Sequence, residues 1–233
     1  MKKKIVLIII LIVLLIGGVY VNNFRLTDIQ VSGCKIVDEK TIIEAVKNTG
    51  YSGNTITLYV GNKLKPVENI PFVAKLDVEY ISKNKVSVTV YEKSIAGCVA
   101  YMDSYVFFDK DGIILESASD MIEGIPCIRG LEFESWEKGQ KLPINEDKKF
   151  QYILTITQLV EKYGLEIDSI RFTAEDEIIL MHGGITIELG EGEYLAVQLM
   201  NLGSILEKLN GLEGTLHMKD FDNDMATASF SRK

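Results

Sequence analysis

KLDVEYISKNKVSVTV, the stretch from Lys75 to Val90, decides how the first half of this chain is read. Leu76, Val78 and Tyr80 alternate with Lys75, Asp77 and Glu79. After a break, Val86, Val88 and Val90 alternate with Ser87 and Thr89. Period two puts one face of each strand on a core and the other in water. Ser82-Lys83-Asn84-Lys85 between them is turn chemistry, so the pair is predicted to form a hairpin. Upstream, Phe24–Gly33 reads as a strand with Leu26, Ile29 and Val31 as apolar anchors. Asp38 is placed to cap a helix running to Asn48, whose apolar side is Ile42, Ile43 and Val46. Asn62–Asn69 suits a second, short helix that Pro66 limits. The order is strand, helix, helix, strand, strand.

Further upstream, Lys2, Lys3 and Lys4 form a cationic cluster, and Ile5–Val21 runs seventeen residues without a charge. That length is at the lower limit for a helix crossing a bilayer. The lysines would hold the N-terminus on the cytoplasmic side, with Tyr20 as an interfacial aromatic. A cleaved signal peptide shares the basic start and apolar middle, but the run ends in Gly-Gly-Val-Tyr-Val-Asn-Asn, with no Ala-x-Ala site. Val31-Ser32-Gly33-Cys34 imitates a lipoprotein-processing box. Arg25 and Asp28 separate it from the apolar run, which such a box must follow directly.

Downstream, Val106–Asp109, Asp111-Gly112 and Ile113–Leu115 form a strong hairpin pattern, because Asp-Gly tolerates the positive φ of tight turns. A helix is expected from Asn145 or Glu146 to Tyr163, stopped by Gly164. Ile167–Thr173 is a strand, and Ile178–Met181 with Ile185–Leu189 is a hairpin around His182-Gly183-Gly184. A last helix over Glu193–Leu209 carries Leu195, Leu199, Leu202, Leu206 and Leu209 on one side, most simply a core stripe. Two strands close the chain, Thr215–Phe221 and Met225–Phe230, around Asp222-Asn223-Asp224.

The residue content excludes several functions. The net charge is -8, and no basic patch interleaves with aromatics, which argues against nucleic acid. Cys34, Cys98 and Cys127 lack zinc spacing, and an odd count argues against a full disulfide framework. Small buried residues are the simplest account of them, and a Cys98–Cys127 bridge stays open. Ser82-x-x-Lys85 has the form of the penicillin-binding-protein motif. It flanks a hairpin instead of opening a helix, and it lacks the partner motifs. His182 and His217, the only histidines, have no cysteine or carboxylate at helical ligand spacing. Asp222-Asn223-Asp224 lacks the rest of a calcium loop. Gly190-x-Gly192 lacks the third glycine and the βαβ context of a dinucleotide site. No catalytic residue, metal or cofactor is expected.

The order of strand, helix, helix, strand, strand resembles a POTRA domain, and its details resemble the bacterial cell-division proteins FtsQ and DivIB. Phe24, Ile29, Val31 and Gly33 fit that family's first strand, Pro71 and Val73 its second, and Val88, Val90, Glu92 and Lys93 its closing motif. Ile95 replaces a common proline and Cys34 a common asparagine. Asp109 to Leu115, Ile125-Pro126 with Ile128 and Gly130, and Gly139 to Leu142 match stretches of the family's second domain.

The resemblance implies an α+β chain: a cytoplasmic tail over 1–4, a single N-terminal transmembrane helix over 5–22, a POTRA domain (β-α-α-β-β) over 23–93, and a mixed β-rich domain with two helices over 94–233. It implies a non-enzymatic scaffold at the division septum, single-pass in the cell membrane with its domains extracytoplasmic. That scaffold binds FtsL-like and DivIC/FtsB-like coiled-coil proteins and helps regulate septal peptidoglycan synthesis. The family binds its partner by adding a strand to the C-terminal edge. Here that edge is Met225, Ala226, Thr227, Ala228, Ser229 and Phe230, with Phe221 as a second apolar anchor. Ile29 and Val31 are the candidates for recruitment through the POTRA unit. Two alternatives remain: an anchored POTRA module serving secretion or envelope assembly, which would carry tandem repeats or a barrel, and a cell-wall enzyme, which would need a nucleophile or metal constellation.

Overall fold

A computed structural model describes residues 9–12, 15, 17, 18, 20, 23–131, 133–144, 147–221 and 228–233. The chain divides into two compact units, Met1–Lys93 and Ser94–Lys233.

The expected transmembrane helix is corrected. Ile9–Ile12, Leu15, Gly17, Gly18 and Tyr20 are helical and exposed, yet among the described residues no helix is long and apolar enough to cross a membrane. Seventeen residues at 1.5 Å each reach about 26 Å against a hydrocarbon core of about 30 Å, and adjacent glycines weaken a helix further. The lysine cluster and the expected tail lie outside the described residues.

In the first unit, β1 (Asp28–Ser32), α1 (Glu39–Lys47), α2 (Thr55–Leu64), β2 (Val73–Ser82) and β3 (Lys85–Glu92) follow in order. The sheet runs β1-β3-β2. β1 lies parallel to β3 with Ile29 opposite Val86 and Val31 opposite Val88. β2 and β3 form the expected hairpin, with Leu76 opposite Val90 and Val78 opposite Val88. Their alternation places Leu76, Val78, Val86, Val88 and Val90 in one core with Ile42 and Val46 of α1 and Leu58 of α2. Tyr80 departs from it: at 44 % exposure it sits where the register shifts, its ring beside Phe24 at 6.4 Å between centroids.

Two local expectations change. α2 begins seven residues before Asn62, because the Asn54 side chain accepts from the N–H groups of Ile56 and Thr57. That cap prevails over the weak helix propensity of Thr55, Ile56 and Thr57. Asp38 precedes α1, but its carboxylate makes no capping bond. Its carbonyl accepts from Thr41 N and Ile42 N instead.

Glu92 closes the unit. One carboxylate oxygen accepts from three successive N–H groups, those of Lys35, Ile36 and Val37, at 2.9, 2.8 and 2.9 Å. Burial pushes the Glu92 pKa up. The three donors and the Lys35 charge more than offset this, so the pKa lies below its ordinary value. A carboxyl with a lowered folded-state pKa stabilises the fold above its unfolded value, about 4.3, and loses that contribution as pH falls through the folded value. In urea unfolding, Glu92→Gln is therefore expected to lower the stability of this unit at neutral pH and to flatten its acid dependence. An unchanged acid profile would show that Glu92 does not carry it.

The second unit is one nine-stranded sheet ordered β12-β11-β10-β9-β8-β7-β4-β5-β6. Its strands are β4 (Gly97–Tyr101), β5 (Ser104–Phe108), β6 (Ile114–Ala118), β7 (Cys127–Arg129), β8 (Ser169–Phe172), β9 (Ile178–His182), β10 (Ile185–Gly190), β11 (Gly214–His217) and β12 (Ser229–Arg232). α3 (Asp147–Tyr163) joins β7 to its parallel neighbour β8, and α4 (Leu195–Lys208) joins β10 to its parallel neighbour β11. Parallel neighbours need such crossovers. The two helices pack on each other and form one core with the sheet, in which Ile153 and Ile156 of α3 and Leu199 and Leu202 of α4 meet Ile170, Leu180, Ile187 and Leu216. The leucine stripe of α4 is core, as its spacing predicts.

The last two strands differ from expectation. β11 stops at His217: the Met218 N–H makes the last ladder bond to β10, on the Glu188 carbonyl, and Phe221 N then closes a turn on the Met218 carbonyl. β12 runs on to Arg232, two residues past the expected end, in the register that sets Phe230 opposite Leu216; the expected start at Met225 lies outside the described residues. The pairing with Leu216 half-buries Phe230, the one large apolar side chain of the strand.

Candidate functional site

β12 pairs with β11 alone among the described strands, so its other edge presents N–H and C=O groups without a ladder partner there. Its register is Gly214 opposite Arg232, Leu216 opposite Phe230 and His217 opposite Ser229. The pleat sends Phe230 to the side of α4 and Ser229 and Ser231 to the opposite face. Gly214 permits this seating: a Cβ there would collide with the Ser231 carbonyl oxygen and the Phe230 ring.

Between α4 and this edge lies a shallow groove of about 380 Å³. Asn201, Ser204, Ile205 and Lys208 of α4, with Leu209 just past its end, line one side, and Leu216, Phe221, Ala228 and Phe230 the sheet side. Phe221 is buried, while Ala228 and Phe230 are half-buried. The structure thus brings three of the expected site residues into one hollow, apolar on its sheet side and partly polar along α4, beside an open strand edge. Ser229 lies in the strand, exposed on the far face. Met225, Ala226 and Thr227 lie outside the described residues. Ile29 and Val31 are in β1, half-buried against the core of the first unit, so β1 offers its backbone edge more than these side chains.

Gln198, hidden in the leucine stripe, holds α4 in place. It is fully buried, and its amide donates to the Leu189 carbonyl at 2.9 Å and the Met218 carbonyl at 2.7 Å. These carbonyls end β10 and follow β11, so the bonds fix the wall of the groove against the sheet.

On the face away from α4, three adjacent strands are clipped together. His217 Nδ1 lies 2.8 Å from Glu188 Oε2, and its Nε2 lies 3.0 Å from Ser231 Oγ. This is the hydrogen-bond order of a hydrolase triad. The His217 side chain is 40 % exposed on the sheet face, and the bonds join β10, β11 and β12. The arrangement ties the terminal strand to its neighbours. Sequence reading missed it, because its members lie 29 and 14 residues apart.

The other candidate chemistry is dispersed. Lys85 pairs with Asp28 at 3.0 Å, while Ser82 reaches only Asn84. A larger hollow of about 680 Å³ includes Glu166, His182, Glu207 and Glu213. There the His182 ring nitrogen is engaged by the Glu166 carbonyl at 2.6 Å. Among the described residues no group of three or more His, Cys, Asp or Glu is placed to hold a metal ion.

Residues 24–93 match the family model for the POTRA domain, FtsQ-type. The match covers the whole first sheet and supports an FtsQ/DivIB-family protein, and with it a cell-division scaffold role and a place at the division site. No curated protein matches the chain.

Proposed function

We propose that this chain, which carries an FtsQ-type POTRA domain, is a non-enzymatic divisome scaffold. It holds FtsL-like and DivIC/FtsB-like coiled-coil proteins at the C-terminal edge of its second unit and so helps regulate septal peptidoglycan synthesis. The observation that supports this reading most is Phe230 on a strand whose other edge has no ladder partner among the described strands, beside a groove whose sheet side also takes in Phe221 and Ala228. Strand addition supplies affinity through main-chain hydrogen bonds, and a neighbouring pocket supplies specificity. On the same reading, the β1 edge that carries Ile29 and Val31 serves recruitment to the division site.

The test is fluorescence localisation of the tagged full chain in dividing cells, beside a version truncated after Asp224. Both are expected at midcell, with only the full chain co-purifying the coiled-coil partner. A full chain that never concentrates at midcell would overturn the reading.

A further inference from the structure

We propose that Cys98 and Cys127 are a dithiol that closes to a disulfide across β4 and β7, with a small-molecule disulfide such as oxidised glutathione as the electron acceptor. The two residues are direct register partners on parallel strands, so their side chains leave the same face of the sheet. Neighbouring strands lie about 4.8 Å apart, inside the roughly 4.4–6.8 Å that a disulfide takes between Cα atoms. Both thiols are free and buried. The neighbouring Cys98 thiol draws the Cys127 pKa down to about 7, while the Cys127 thiol itself donates to the Ile128 carbonyl at 3.9 Å. Burial opposes that lowering, and the nearby Arg129 guanidinium reinforces it, while the Cys98 pKa is raised. Both thiols are almost fully buried, so the oxidant reaches them while this seam is open, as during folding; there Cys127 is the better nucleophile and Cys98 the resolving group.

The position gives the bond a purpose. β4 and β7 share only two register pairs among the described residues, Cys98 with Cys127 and Val99 with Ile128, whereas β4 and β5 share five. This short seam joins the β4-β5-β6 meander to the rest of the sheet. A Cys98–Cys127 bond closes the loop that holds β5 and β6 and locks the meander in place. In the first step, the Cys127 thiolate attacks one sulfur of the oxidant, forming a mixed disulfide and expelling one thiolate. Cys98 then loses its proton and attacks Cys127 Sγ, expelling the second thiolate. The two cysteines give up two electrons and two protons, and the oxidant leaves as two thiols.

The experiment equilibrates the full chain in a series of reduced and oxidised glutathione mixtures, in one arm from the folded state and in another during refolding. Samples are quenched in acid, alkylated after denaturation and mapped by mass spectrometry. Cys34 lies in the other unit, where burial and the Glu92 carboxylate push its pKa up, and it serves as the internal reference. The expected result is a peptide linked through Cys98 and Cys127 with the loss of two hydrogens. Cys34 stays alkylated, and the urea midpoint of the linked protein is higher, an increase that dithiothreitol reverses. Cys98→Ala should leave a glutathione adduct on Cys127 instead. Full alkylation of Cys98 and Cys127 in the refolding arm at the most oxidising mixture would overturn the proposal, as would a link that involves Cys34.

Discussion

Replacing Phe230 by lysine is expected to abolish co-purification of the coiled-coil partner while leaving the chain folded. Phe230 is half-buried: one side of its ring packs toward Leu216 and the core, and the rest borders the groove below α4. An aromatic ring partly exposed beside an open strand edge is the kind of anchor that dominates interface energies, at roughly 2–4 kcal/mol per anchor. Loss of that amount weakens binding by about thirty-fold to a thousand-fold. Lysine adds a charge that a closing partner would have to desolvate. The fold should tolerate it, because the sheet core is built from Ile170, Leu180, Ile187 and Leu216 with the two helices, and the Glu188–His217–Ser231 clip still ties β12 in place. Met121→Lys is the matched control: it places the same charge at an exposed position just after β6, the strand at the opposite end of the sheet, and should leave capture intact. Pull-down by Phe230→Lys at the level of the parent chain would sink the assignment of this edge. Circular dichroism and thermal unfolding of each variant separate lost binding from lost folding.

What was legible in the sequence followed the physics of each element. The hairpin over 75–90 was readable because alternation carries face and register together. The α4 stripe was readable because leucine at helical spacing has one simple use. α2 was misplaced because its start depends on the side chain of Asn54, while Thr55, Ile56 and Thr57 favour strand by propensity. The register of β12 is not legible in its own sequence, because it is fixed by Leu216, fourteen residues upstream of Phe230. The apolar run near the N-terminus was over-read, since length alone leaves a seventeen-residue stretch at the margin. At the candidate site, Phe221, Ala228 and Phe230 follow from the family resemblance. Ile205, Leu209 and Gln198 do not, because a groove between a helix and a strand edge is a tertiary fact. Gln198 did carry a usable sign: a polar residue beside Leu199 in a leucine stripe needs buried partners.

Gly33→Val is expected to unfold the first unit and to separate the two activities proposed for the chain. Gly33 has φ +87, a conformation that strains any β-branched residue. A Cβ there would also strike the Val90 carbonyl oxygen, which belongs to the central strand β3 and cannot retreat without breaking its ladder. The same turn aims Lys35, Ile36 and Val37 at Glu92, so the three-donor clasp fails with it. The combined cost, roughly 3–5 kcal/mol, approaches the whole stability of a unit of this size. Hydrogen exchange read by mass spectrometry should show lost protection across residues 24–93 and retained protection across 94–233, the two compact units of the chain. Gly33→Ala, with a smaller side chain, should do the same less completely. If the first unit recruits the chain and the second holds the partner, Gly33→Val loses midcell localisation but still captures the coiled-coil protein, the reverse of Phe230→Lys. Midcell signal that survives unfolding of the first unit would remove the POTRA domain from recruitment. Partner capture that disappears with it would mean that the binding surface is not confined to the β12 edge.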